Sequence, residues 1–83
     1  MFKITFKKFV VKDLKRISRD QVKNILNKIE SNLSKTPEQY PELKGKFAGL
    51  RKFRVGNYRI IFVILEEKTV LITRIKHRKE SYR

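Results

Sequence analysis

No cysteine occurs in the sequence, so it can hold neither a disulfide framework nor a thiolate metal site, and folding needs no oxidising compartment. Histidine occurs once. A zinc site takes three or four nitrogen, sulfur or oxygen ligands, and two-metal phosphoryl transfer takes several convergent carboxylates. The second half of the chain has only Glu66, Glu67 and Glu80 to offer, and neither set can be assembled from it. Nothing near the serines resembles a nucleophile elbow. Glycine occurs three times. The two in LKGKFAGL fit no P-loop or dinucleotide fingerprint, so that segment reads as a connecting loop. Long apolar runs are missing as well: MFKITFKKF alternates charged and apolar residues, unlike a signal peptide or a membrane span. The expectation is a cytoplasmic protein with no membrane partner.

What the chain has in excess is positive charge. Twenty-two Lys and Arg stand against eight Asp and Glu, a formal net charge of +14 on 83 residues. So large an imbalance points to an anionic partner, nucleic acid first. The excess is uneven: residues 1–43 carry ten basic and five acidic groups, residues 44–83 twelve and three. Eighty-three residues make one domain, near the lower size limit for a core without disulfides or metal.

Residues 2–6, FKITF, alternate as a strand with Phe2, Ile4 and Phe6 on one face. Helical spacing of Val10, Leu14 and Ile17 in KKFVVKDLKRI predicts a first helix. Ser18 and Gln21 fit a capping box opening a second helix, whose apolar face is Val22, Ile25, Leu26, Ile29 and Leu33. Pro37 and Pro41 end it, because proline lacks the N–H a helix needs. Three strands follow: LRKFRV, YRIIFVIL and TVLITRIK. Gly56-Asn57 suits a two-residue type II′ or I′ hairpin turn, and Glu66-Glu67-Lys68 with a neighbour makes the second. The fold class expected is α+β, in the order β-α-α-β-β-β, with two helices on a mainly antiparallel sheet of about four strands and a short C-terminal tail or helix.

A two-residue turn at Gly56-Asn57 sets Val55 opposite Tyr58, Arg54 opposite Arg59, Phe53 opposite Ile60 and Lys52 opposite Ile61. A second turn of two or four residues sets Arg59 opposite Lys76 and Ile61 opposite Arg74, whereas one of three residues swaps their faces. The first register sorts the residues cleanly. Phe53, Val55, Ile60, Phe62, Ile64, Leu71 and Ile75 then share the core face. The other face gathers Lys52, Arg54, Arg59, Arg74 and Lys76 at one end and Ile61, Val63, Leu65, Val70 and Ile72 at the other. Directly opposed like charges are destabilising. The five cations therefore read as a phosphate site, against the plainer reading of a solvated face with snorkelling stems. The apolar end needs a cover, which the first strand, the tail or a partner's helix would supply.

A nuclease built from these residues works without a metal. RNA suits it, because the 2′-hydroxyl supplies the nucleophile and the protein need only position it, move protons and neutralise charge on phosphorus. Arginine grips phosphate oxygens with a planar fork and stays charged. Proton movement falls to Lys52, His77 or Tyr82, and like-charged neighbours are what make a lysine a better base. Tyr58 reads as core, while Tyr40 and Phe47 sit in loops where they either stack a base or staple the loop down.

The block LKGKFAGLRKFRVGNYRIIFVI, with its Gly-x-Tyr-Arg turn, and the ending IKHRKESYR resemble the RelE/ParE toxin superfamily of toxin-antitoxin systems, and within it the RelE-type mRNA interferases. The resemblance covers nearly the whole chain. It implies a RelE-like domain over residues 1–83 and an endoribonuclease that cuts mRNA in the A site of a 70S-type ribosome, touching 16S rRNA. The products are a 2′,3′-cyclic phosphate and a 5′-hydroxyl, and no metal or other cofactor is expected. Lys52 matches the proton acceptor and Arg54 its partner on the basic strand, with Arg51 the candidate if that match slips by one. Arg59 matches the arginine that stabilises the transition state, Arg78 a phosphate contact and Tyr82 the tyrosine that stacks on or orients the base. Arg51, Arg74, Lys76, His77, Lys44 and Lys46 are the expected RNA-binding residues. The resemblance also implies a RelB-like antitoxin that wraps the toxin, in a complex that oligomerises and binds operator DNA through the antitoxin. DNA gyrase-inhibiting ParE toxins share the scaffold, and a non-catalytic RNA- or DNA-binding module is the reading from a different class.

Overall fold

The structure is a computed structural model and describes residues 1–45 and 49–79. Lys46, Phe47 and Tyr82 lie outside the described residues. The order is β1 (Lys3–Phe6), α1 (Lys8–Lys15), α2 (Arg19–Lys28), β2 (Arg51–Val55), β3 (Tyr58–Leu65) and β4 (Thr69–His77). The four strands form one sheet in the order β1-β4-β3-β2, with β1 parallel to β4 and the other pairs antiparallel. The expected α+β class and element order hold. β1, one of the covers considered for the apolar end of the outer face, does not lie over it; it extends the sheet along the first part of β4.

Helix α1 is shorter than its apolar spacing suggested, but Val10 is fully buried and Leu14 and Ile17 pack against the core. Ser18 is the N-cap of α2, yet its side chain makes no capping hydrogen bond. The predicted capping box does not form, because Gln21 is engaged elsewhere: its Oε1 accepts the Tyr58 hydroxyl at 3.3 Å. α2 runs on into a π-helical turn, Ile29–Leu33. That turn keeps Ile29 and Leu33 buried beside Ile25. Together these helical residues cover one sheet face, against Phe53, Val55, Ile60, Phe62, Val70, Ile72 and Ile75.

The loop before β2 is tied down from both directions. Arg51 donates from its guanidinium to the Tyr40 and Glu38 carbonyls at 2.6 and 3.1 Å and pairs with Glu42 at 3.3 Å. The Tyr40 ring packs edge-on against Phe53, with ring centres 4.9 Å apart, so this loop aromatic is a staple. Residues 41–43 run beside the outer edge of β2, where the Leu43 N–H donates to Leu50 O and the Lys52 N–H to Pro41 O. An edge strand left bare would invite pairing with other chains, and this one is partly covered.

The two hairpins decide which side chains share a face. Val55 pairs with Tyr58 around Gly56-Asn57. Gly56 has φ +58° and Asn57 is not among the positive-φ residues, the signature of a type II′ turn. The second turn spans three residues, Glu66 to Lys68, since Leu65 pairs with Thr69. By itself that turn would have swapped the faces of β4. A bulge restores them: Phe62 faces Ile72 while Ile61 faces Arg74, leaving Thr73 as the extra residue. The Thr73 hydroxyl donates to Ile61 O at 3.0 Å and fills the interruption.

Both registers weighed for the sequence therefore exist, one on each side of Thr73. At the far end the result corrects the expected sorting. Val70 and Ile72 are fully buried in the core, not on the outer face. Leu71 takes their place there, half-buried like Ile61 and Val63, while Leu65 is exposed.

Candidate functional site

Beyond the bulge the register is the one the charges suggested. Arg54 pairs with Arg59, and Arg59 pairs with Lys76, so three cations form a single row across β2, β3 and β4. Opposed side chains in such a row start about 5 Å apart at Cβ. Lys52, two residues from Arg54, lies on the same face. Lys52, Arg54 and Arg59 line one cleft of about 250 Å³ with Tyr40, Pro41 and Phe53. Arg59 sits on a central strand and is half-buried, whereas Lys52 and Arg54 are exposed on the edge strand. Among the described residues, the ion pairs given to this half of the chain go to Arg51 and Arg74 and none to Lys52, Arg54 or Lys76. Arg54, Arg59 and Lys76 thus bring three positive charges side by side at this end of the sheet.

Arg78 joins the same end of the sheet. Its N–H donates to Asn57 O at 2.7 Å, which ties the chain leaving β4 to the turn that precedes Arg59. Of the five expected catalytic residues, Lys52, Arg54 and Arg59 come together in the cleft, Arg78 lies beside the adjoining turn, and Tyr82 is beyond the described residues.

Arg74 is drawn away from this group. Its Nε and Nη2 donate to the two carboxylate oxygens of Asp13 at 2.9 and 3.0 Å, and its guanidinium lies over the Phe9 ring, 4.5 Å from the centroid. Asp13 is 6% exposed. Its Oδ2 also accepts the Ile75 N–H at 3.0 Å, a donor that β4 presents beyond the reach of β1, whose pairing stops at Ile72. The helix α1 therefore caps the open stretch of β4 with a carboxylate and neutralises one of the five cations. Sequence reasoning missed Asp13, although a signal was there. It is the sole acid in residues 1–19, three residues after Val10 and four before Ile17, and so lies on the helix face that packs inward.

The remaining expected RNA contacts divide as well. Arg51 is spent on the Glu38 to Glu42 loop, Lys44 is exposed in the loop before β2, and Lys46 is outside the described residues. His77 pairs with Tyr58 in the β3-β4 register and stacks edge-on against its ring, with centroids 5.2 Å apart. Tyr58 points toward α2, so His77 faces the helices. With Asp13, Arg16, Ile17, Tyr58 and Ile75 it lines a separate cleft of about 140 Å³. The structure does not bring His77 to the cationic row. No three His, Asp or Glu side chains converge as a metal site among the described residues, and no helix there is long and apolar enough to cross a membrane.

The family described as the ParE toxin of type II toxin-antitoxin systems, parDE, matches residues 4–82. Solved structures are similar over nearly the whole fold. The RelBE2 toxin-antitoxin complex of Mycobacterium tuberculosis contains a chain 26% identical, with a TM-score of 0.86 over 93% of this chain and 98% of that one. The RelB-RelE complex of Methanococcus jannaschii contains a chain 29% identical, with a TM-score of 0.62 over 94% of each. The isolated RelE toxin of E. coli, 17% identical, shares the fold with a TM-score of 0.74 over 99% and 92%. A search of curated protein sequences finds no match.

Proposed function

Because the chain belongs to the ParE toxin family, within the RelE/ParE superfamily of type II toxin-antitoxin toxins, we propose that it is an endoribonuclease that cuts mRNA in the ribosomal A site. The observation that carries this reading is the single cleft lined by Lys52, Arg54 and Arg59. In the reaction the 2′-hydroxyl of one nucleotide attacks the adjacent phosphorus. The bond from phosphorus to the next nucleotide's 5′ oxygen breaks, and the departing oxygen takes up a proton. Lys52 accepts the 2′-hydroxyl proton. Arg59 and Arg54 hold the non-bridging oxygens as negative charge builds on them, which is where fixed cationic donors lower a barrier most. Arg78 contacts the phosphate from the adjoining turn, and Tyr82 orients the base. Lys76 extends the positive row for the RNA backbone. No step calls for a metal ion.

The partner that silences the toxin is an antitoxin, as in the RelB complexes whose toxins share this fold. A RelB-like chain with acidic segments complements the +14 charge. The apolar outer face at Ile61, Val63, Leu65 and Leu71 gives it a place to bury side chains. Toxin, antitoxin and ribosome meet in the cytoplasm on this reading.

A second reading, inhibition of DNA gyrase, is favoured by the ParE description of the matching family. Expression of the toxin in cells, followed by mapping of mRNA 5′ ends, separates the two. Codon-phased cuts within coding regions are the expected result. Induction of the SOS response without such cuts would replace the nuclease with a gyrase poison, and neither outcome would leave a non-catalytic nucleic-acid-binding module.

A further inference from the structure

His77 is the residue whose chemistry the proposed reaction leaves unused. A general acid or base must come within hydrogen-bonding reach of the proton it moves. His77 lies on the helix side of the sheet, its ring against Tyr58, while Lys52, Arg54 and Arg59 line the cleft on the other side. Its bonding is local instead. The Lys79 N–H donates to His77 Nδ1 at 3.2 Å. A nitrogen that accepts carries no proton, so the neutral ring holds its hydrogen on Nε2. Between these two residues stands Arg78, whose own N–H is bonded to Asn57 O at 2.7 Å.

We propose that His77 is a positioning residue for Arg78: by accepting the Lys79 N–H it closes the turn after β4 and fixes where Arg78 stands beside the Gly56-Asn57 turn. Two hydrogen bonds then bracket Arg78, a backbone bond to Asn57 O that holds it to the neighbouring hairpin and a bond from the Lys79 N–H to the His77 side chain that sets the bend of its own chain. The edge-on contact with Tyr58, itself bonded to Gln21 of α2, holds the imidazole so that Nδ1 faces the backbone. The inference rests on the reading of the cationic row as an RNA-cleavage site.

The bond also tells which substitution preserves it. Asparagine carries its oxygen on Cγ, as histidine carries Nδ1, and asparagine commonly accepts the N–H two residues on. Glutamine carries its acceptor one bond further out, in the place of Nε2. On mRNA-programmed ribosomes His77→Asn is expected to cleave within about twofold of wild type. His77→Gln is expected to lose about tenfold in kcat, as displaced positioning groups do. In an Arg78→Ala background His77→Gln should add no further loss, because residues that act through one another are not additive.

Equal losses in His77→Asn and His77→Gln would overturn the inference in favour of proton transfer by the ring. A His77→Gln enzyme as active as wild type, or a full additional loss on top of Arg78→Ala, would overturn it too. Amide exchange tests the geometry apart from catalysis. Protection of the Lys79 amide should persist in His77→Asn and vanish in His77→Gln, and an amide unprotected in wild type contradicts the turn. If Arg59→Ala and Arg78→Ala both cleave normally, it is the RNA-cleavage reading that fails, and the exchange result alone decides the role of His77.

Discussion

Arg59→Ala should lower single-turnover mRNA cleavage on programmed ribosomes by at least about a hundredfold, the usual loss when a fixed donor to a developing oxyanion is removed. Arg59 is the middle member of the Arg54-Arg59-Lys76 row and the one whose own position is paired on both sides, since β1 reaches only as far as Ile72 along β4. Its neighbours on both sides hold its backbone, so its guanidinium is better placed than those of the edge-strand residues. Like charges lie opposite it on both sides, and removing it relieves repulsion as well as removing contacts. The fold should therefore survive, with an unfolding midpoint within about 5 °C of wild type. Arg59→Lys separates charge from shape: an ammonium keeps the charge but not the planar fork, and an intermediate rate is expected. Full cleavage by the folded alanine variant would remove Arg59 from the site.

The second large effect falls on stability. Asp13→Ala leaves the Arg74 guanidinium and the Ile75 N–H without the carboxylate that both share. Removing one partner of a buried pair typically costs 3–5 kcal/mol. Arg74 is 35% exposed and regains some water, so about 3 kcal/mol is expected here. In a domain this small that corresponds to a fall in melting temperature of about 15 °C. Urea denaturation of the alanine variant measures the loss directly. A change below about 1 kcal/mol would make the pair an ordinary surface contact.

The same substitution has a consequence for the site. Without Asp13 the charge of Arg74, one of the five cations expected on the outer face, is no longer offset by that carboxylate. Asp13 thus both closes the open stretch of β4 and offsets the charge of Arg74.

What the sequence made legible was local, and the failures came where distant segments meet. The Gly56-Asn57 turn fixed the pairing of Arg54 with Arg59 because a two-residue hairpin admits one register. The second turn did not fix its register, since Glu66, Glu67 and Lys68 carry no glycine or asparagine to mark a turn type. The Thr73 bulge was invisible for the same reason: a bulge inserts one residue without altering composition. Its effect was to put Val70 and Ile72 in the core and Leu71 outside, while leaving Arg59 opposite Arg54 and Lys76 as expected.

Asp13 and His77 show the other limit. Each is a polar residue held against a different element, Asp13 by Arg74 of β4 and the His77 ring by Tyr58 of β3, and spacing along the chain cannot reveal that contact. The pairing of Arg74 with Asp13 links residues 61 apart in the sequence, and it took Arg74 out of a group to which strand alternation had assigned it. His77 follows the pairing with Tyr58 onto the helix face, although its position after a basic strand had suggested the opposite side. The capping box failed in a similar way, because Tyr58 from the sheet holds the Gln21 side chain.

The most direct test of the central claim is cleavage of an mRNA that carries a single 2′-deoxynucleotide on the 5′ side of the scissile phosphate, presented in the A site of a purified ribosome complex. The all-ribose message should be cut to a 2′,3′-cyclic phosphate and a 5′-hydroxyl, and the deoxy-substituted message should resist at that phosphate. Cleavage of the deoxy message at the same position, or products ending in a 3′-hydroxyl and a 5′-phosphate, would contradict a reaction in which the RNA supplies its own nucleophile and the Lys52, Arg54 and Arg59 cleft supplies the charge.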